Sequence, residues 1–202
     1  METGIMIEHH GIRLEAVLSD ASSDRAAVIT HPHPLYGGDM HNPVVTAIAD
    51  AFTARGFTTL RFNFRGTGRS SGQFDDGAGE QDDVRAAIDF LVQKGISGVW
   101  LAGYSFGSRV NASVIEAGID ARDHIMVSPP AAFMSFDEID ALPGTGLVIT
   151  GAADEIAPPG MVEAHLNRWG ISPQFETIEG CDHFYSGCLP RLGQILSGYL
   201  EK

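Results

Sequence analysis

Three features of the sequence predict an α/β fold with a doubly wound, mostly parallel sheet. Short apolar, β-branched runs alternate with helix-period segments along most of the chain. Those runs are apolar nearly throughout, as strands covered on both faces are. The first two runs are instead joined by His9-His10-Gly11, a turn-forming sequence, and predict an antiparallel hairpin at the N-terminal edge.

The elements follow in order. Residues 5–8 and 12–18 are the hairpin strands. Residues 26–30 (AAVIT) form a short apolar strand that ends at His31-Pro32-His33-Pro34. Val44, Ile48, Ala51 and Phe52 recur at helical spacing, and Gly56 stops that helix. Residues 58–64 (TTLRFNF) are β-branched and aromatic, hence a strand. Over 80–94, Val84, Ala87, Ile88 and Leu91 share one helical face that ends at Gly95. Strands at 99–104, 124–128, 146–150 and 174–178 then alternate with helices at 106–117, 161–169 and 189–200. Only residues 130–145 bridge the strands at 124–128 and 146–150, too few for a helical cap over the sheet, so no lid domain is expected.

Bulk properties narrow the function classes. A chain of 202 residues fits one domain over 1–202 and can bury its own core without disulfides or metals. Its formal net charge of −13 leaves no basic surface to displace counterions, so no nucleic-acid partner is expected. No stretch approaches transmembrane length, and residues 1–14 lack a basic segment followed by an apolar run; neither a membrane partner nor secretion is expected. Cys181 and Cys188 are the only cysteines, and their spacing is not a zinc or thioredoxin-like motif. Two reduced thiols in a cytoplasmic protein is the expectation. A homodimer is left open.

Gly103-Tyr104-Ser105-Phe106-Gly107 matches G-x-S-x-G. The bare pattern is weak, but here a strand precedes it and a helix follows, the setting the motif requires. A tight strand-to-helix turn lifts the serine hydroxyl clear of the sheet and aims the first helical amides at the reacting atom. A serine nucleophile needs a base, and His183 is the best placed of 8 histidines, in the loop after the last strand. His9 and His10 lie in an edge turn, His165 within a helix, and His124 opens a strand. The imidazole needs an acid: Asp154, just past the 146–150 strand, completes the chain order Ser–Asp–His. Asp182 and Glu155 are its competitors.

The oxyanion of an attacked carbonyl needs fixed donors. One is the Phe106 N–H; the second is expected from the loop after 26–30, where the first amide past both prolines is Leu35, with Tyr36 as alternative. His31, His33, Asp39 and His41 could be read as a metal cluster, but a rigid loop beside the nucleophile explains the segment without one; no metal and no cofactor are expected.

Together these residues resemble the α/β-hydrolase superfamily, over nearly the whole chain from about Ile12. The resemblance is nearest to small lidless bacterial members related to dienelactone hydrolases, which carry HPHP-x-x-GG in the oxyanion loop. It extends to residues 61–72 (RFNFRGTGRSSG), similar to the family's RGxGxS turn, and to 79–83 leading into the next helix. Dienelactone hydrolases proper use cysteine as nucleophile, which argues against a dienelactone substrate here. Haloalkane dehalogenases and epoxide hydrolases place aspartate at that position, which disfavours both chemistries. The resemblance implies a serine hydrolase cleaving small-molecule carboxylic esters with short or compact acyl groups through an acyl-enzyme. Thioesterase, peptidase or acyltransferase chemistry on the same triad is the alternative, and a non-catalytic binding protein on this fold the alternative of another class. Tyr36, Tyr104, Phe133, Met134 and Phe136 are candidates for the pocket wall.

Overall fold

The computed structural model describes residues 1–201. The described residues form eight strands and five α-helices: β1 (Glu2–His9), β2 (Ile12–Ser19), β3 (Arg25–Thr30), α1 (Pro43–Ala54), β4 (Thr58–Phe62), α2 (Ala78–Gln93), β5 (Gly98–Tyr104), α3 (Phe106–Glu116), β6 (Asp123–Val127), β7 (Thr145–Gly151), α4 (Pro159–Arg168), β8 (Gln174–Ile178) and α5 (Leu189–Tyr199). A 3-10 turn, Pro34–Tyr36, follows β3. All eight strands belong to one sheet, ordered β1-β2-β4-β3-β5-β6-β7-β8.

β1 and β2 pair antiparallel from Glu2↔Ser19 to His9↔Ile12. β2 then pairs antiparallel with β4, not with β3. From β4 onward every pairing is parallel. The central strands are buried on both faces, β3 and β5 through apolar runs and β4 with Thr58, Thr59 and an Arg61 whose guanidinium donates to Glu2 at 2.8 Å. Two apolar layers result. On one face, α2, α3 and α4 cover Val28, Leu60, Leu101, Met126 and Val148. On the other, α1 and α5 cover Ala27, Ile29, Ala102, Ile125 and Ile149.

Local chemistry sets the helix starts. Asn42 caps α1 by accepting from the Val44 N–H at 2.9 Å, with Pro43 at the first helical position. Glu80 accepts from the Asp75 and Gly77 amides at 2.9 and 2.8 Å and fixes the start of α2. Asp83 takes the Arg65 guanidinium at 2.7 Å and the Arg65 amide at 2.8 Å, tying the turn after β4 to α2.

The 129–144 connection holds no helical cap. Phe136 and Ile139, each 1% exposed, and the fully buried Leu142 anchor it against the α3–α4 face. Trp169 Nε1 donates to the Ile139 carbonyl at 2.8 Å. Among the described residues, no helix is long and apolar enough to cross a membrane.

Candidate active site

Strands β5, β7 and β8 are parallel, so their carboxyl ends lie on one edge of the sheet, where sites form in open α/β folds. Ser105 is the first residue after β5, Asp154 lies three past β7, and His183 lies five past β8.

The turn at Ser105 is dictated sterically. Ser105 has φ 53° and ψ −119°, a conformation that L residues rarely adopt. A Cβ on Gly103 would lie 2.5 Å from the Ser108 nitrogen, and one on Gly107 would lie 2.6 Å from the Thr30 carbonyl oxygen. Only hydrogen fits at either position, so strand, turn and helix can approach closely enough to project the hydroxyl. The Ser105 amide donates to the Val127 carbonyl at 2.9 Å, anchoring the turn to β6. Phe106 is the first residue of α3, and its N–H has no acceptor within the helix.

The His183 ring bridges the other two groups. Its Nε2 is 2.9 Å from Ser105 Oγ, and its Nδ1 is 2.9 Å from each oxygen of Asp154. All three side chains are buried. Burial alone would push the Asp154 carboxyl up, but the His183 hydrogen bond and charge and the Ala157 amide outweigh it and hold it below its ordinary value. Asp154 Oδ1 also accepts from the Ile156 and Ala157 amides at 2.9 and 2.7 Å. The carboxylate is thereby ionised and aimed. Of its two competitors, Asp182 turns its Oδ1 to the Ser186 amide at 3.2 Å, and Glu155 is exposed.

The acid and base loops are also tied to each other. Gly151 allows the crossing, because a Cβ there would lie 2.2 Å from the Cys181 carbonyl oxygen; Ala153 N–H donates to that same oxygen at 2.9 Å. Tyr104 OH donates to the His183 carbonyl at 2.7 Å. Burial raises the Tyr104 hydroxyl above its ordinary value, so it stays a proton donor. This positioning contact has no sequence signature beyond the polar tip of a tyrosine beside the serine. Cys181 and Cys188 carry free thiols, and burial pushes the Cys181 thiol up to about 12, away from the nucleophilic thiolate.

Ser105 opens onto a cavity of about 280 Å³. Tyr36, Tyr104, Phe133 and Met134 line it, together with Pro32, His33 and Phe184. Two expectations are corrected. Phe136 is not in the wall: it is 1% exposed and packs against Trp169 and His165, because the short connection needs an apolar anchor at its turn. The Leu35 amide is not aimed at Ser105. It donates to His33 Nδ1 at 3.3 Å, and Leu35 lines a neighbouring depression with Glu15 and Asp39. Counting amides past both prolines overlooked the one between them. The His33 N–H donates to no group among the described residues, and His33 lines the cavity with Ser105 and Phe106.

The His31, His124 and His165 side chains have structural partners. His31 Nδ1 donates to the Pro32 carbonyl at 2.7 Å, and its Nε2 accepts from the Phe64 amide at 3.0 Å, so burial keeps it neutral, at about 4. Asp39 accepts from the His41 amide at 2.7 Å. Among the described residues, no three His, Cys, Asp or Glu side chains converge as a metal would require. His165 stacks on Trp169 at 5.5 Å, and His124 is buried against Thr145 Oγ1 at 3.0 Å.

A hydroxyl held to an imidazole, itself held to a carboxylate, can be deprotonated as it attacks an electrophilic carbon. Comparison with known proteins agrees with this chemistry. The family model described as X-Pro dipeptidyl-peptidase (S15 family) matches residues 10–118, a stretch that includes Ser105 but neither Asp154 nor His183. Protein RP471 of Rickettsia prowazekii (strain Madrid E) is 32% identical over 200 residues, spanning 93% of this chain and 84% of its own. An α/β serine hydrolase homologue from Coxiella burnetii is 33% identical and superposes with a TM-score of 0.89 over 97% of this chain and 96% of that one. The α/β serine hydrolase without lid XC6422 from Xanthomonas campestris is 32% identical, with a TM-score of 0.91 over 99% and 94%. The chain therefore belongs to the α/β serine hydrolases matched by the X-Pro dipeptidyl-peptidase (S15) family model, alongside these lidless bacterial homologues.

Proposed function

We propose that the protein hydrolyses carboxylic esters with short or compact acyl groups through an acyl-enzyme on Ser105. The observation that carries this reading is the Ser105–His183–Asp154 relay, with 2.9 Å at each step, at the floor of an uncharged cavity. In the first half-reaction Ser105 Oγ bonds to the acyl carbon while His183 Nε2 takes its proton. Asp154 holds the ring and stabilises the imidazolium. The carbonyl oxygen becomes an anion, which receives the Phe106 N–H and, in place of Leu35, the His33 N–H. The imidazolium then protonates the departing alkoxide. Water repeats the sequence and releases the acid. No step requires a cofactor. Kinship with the dienelactone hydrolases through the HPHP-x-x-GG loop belongs to this reading, as does a cytoplasmic location on the grounds of sparse, free cysteines.

Peptidase chemistry is the second reading, favoured by the S15 family match. Releasing an N-terminal dipeptide requires a place for the substrate's ammonium. Of the described residues that line the cavity, none is Asp or Glu, although the chain holds 26 of them. An unpaired ammonium would lose its hydration there without a partner. The ester reading is therefore preferred.

The test compares p-nitrophenyl acetate, butyrate, octanoate and palmitate with a dipeptidyl X-Pro p-nitroanilide. The account predicts the highest kcat/KM for the shorter esters and negligible release of nitroaniline. Faster cleavage of palmitate, or of the anilide, contradicts it.

A further inference from the structure

The cavity over Ser105 is selective in its lining. Of the described residues that form it, none is Asp, Glu, Lys or Arg. Burial also lowers the proton affinity of its His33 imidazole, whose Nδ1 already accepts from the Leu35 amide. The cavity therefore presents neutral surface.

Its mouth is made of aromatic rings that the fold leaves uncovered. Tyr36 is 75% exposed, Phe133 53% and Phe184 70%. Tyr36 packs edge-to-face on His33 at 4.9 Å and on Phe133 at 5.8 Å, and His33 meets Phe133 at 6.2 Å, also edge-to-face. Phe74 and Phe106 back the His33 ring at 4.9 Å each. Phe184 comes from the loop after β8, so rings approach Ser105 from both sides of β5 in the sheet order. Ring faces and edges carry opposite partial charge, so such a mouth discriminates a flat ring from an aliphatic group of equal size.

One polar group in the wall is left over. Asn42 lines the same cavity. Its cap of α1 identifies the oxygen end of the amide, since Oδ1 accepts from the Val44 N–H at 2.9 Å. The two Nδ2 hydrogens meet no acceptor among the described residues.

We propose that this cavity takes a neutral ester carrying a flat aromatic ring with a hydrogen-bond acceptor on it, the ring held by Tyr36, Phe133 and Phe184 and the acceptor by Asn42 Nδ2. The proposal rests on the serine-hydrolase reading and adds its substrate class. The ring is the shared chemistry of two sources, the acyl side or the alcohol side of the ester.

The experiment measures kcat and KM on matched pairs. Methyl phenylacetate against methyl cyclohexylacetate reads the acyl side; benzyl acetate against cyclohexylmethyl acetate reads the alcohol side. Each arm is repeated with a 4-methoxy group on the aromatic member. The expected result is a roughly 3- to 10-fold preference for the aromatic ester in one arm, carried mainly by KM. Methoxy should add about 5-fold more in that arm. Tyr36→Leu and Phe133→Leu should each shrink the ring preference. Asn42→Asp keeps the capping oxygen but removes the donor, so it should abolish the methoxy gain while thermal unfolding shows the fold intact. Asn42→Ser, which also caps, should do the same. No ring preference in either arm overturns the proposal, as does a methoxy gain that survives both Asn42 variants. If the wild type cleaves the cyclohexyl esters equally well, the substrate class alone fails. If it cleaves none of the esters and resists a fluorophosphonate, the hydrolase reading fails as well.

Discussion

A methyl group on Gly107 would lie 2.5 Å from Thr30 Oγ1 and 2.7 Å from the Thr30 carbonyl carbon. Those atoms belong to the end of β3, so the methyl could be accommodated only by moving α3 off the sheet. Ser105 sits two residues earlier, already at φ 53°. Such a conformation persists only where its surroundings hold it. Gly107→Ala should therefore cost about 1–3 kcal/mol in stability and, by misplacing Oγ, about 10²-fold in kcat. Gly193 is the matched control: it lies within α5, and a Cβ there meets nothing within 4 Å. Gly193→Ala should stabilise by roughly 0.5–1 kcal/mol and leave kcat unchanged. Urea unfolding and ester hydrolysis on both variants read the contrast. Equal effects from the two substitutions would contradict the steric account.

At the scale of elements, strands and helices were legible wherever periodicity was unbroken. β8 has the expected bounds, and most others differ by one to three residues at their ends. β4 stops at Phe62 rather than residue 64 because the chain leaves the ladder at Phe64, one residue after the Asn63 amide makes a last bond to the Glu15 carbonyl of β2 at 2.8 Å. Asn63 Oδ1 accepts from the Met40 amide at 2.8 Å, and the Phe64 amide donates to His31. The insertion of β4 between β2 and β3 was not legible, since no local pattern encodes which strands become neighbours. The Ser105, Asp154 and His183 positions were legible because each follows a strand, and parallel strands deliver their ends to one edge. The fold of the 31–38 loop was not legible: its 3-10 turn brings the Leu35 amide back onto His33 Nδ1, a contact that no local pattern encodes. Phe136 was misassigned because an apolar residue in a connection can serve as anchor or as wall, and sequence does not distinguish them.

At the scale of the whole molecule, the sheet edge gathers three loops into one relay, while buried neutral groups set the conditions under which that edge survives. Burial lowers His31 to about 4 and His124 to about 3, against an ordinary value of 6.5. Below pH 6.5 the unfolded chain therefore binds more protons than the folded one. The stability these two histidines contribute is complete above that pH and is lost as pH falls toward their folded values. Buried Glu80 and half-buried Asp123, both raised by desolvation, act with the opposite sign nearer the carboxylate range, so the window to read is about pH 5 to 7. Across it, Tm should fall on the order of 10 °C by calorimetry; a flat profile would contradict the burial argument. The relay itself is tested most directly by intact-protein and peptide mass spectrometry after exposure to a fluorophosphonate. The account predicts one adduct, on Ser105, absent from Ser105→Ala and formed far more slowly in His183→Ala. An unmodified wild type, an adduct on another residue, or undiminished labelling of His183→Ala would contradict the convergence of these three side chains into a working nucleophile.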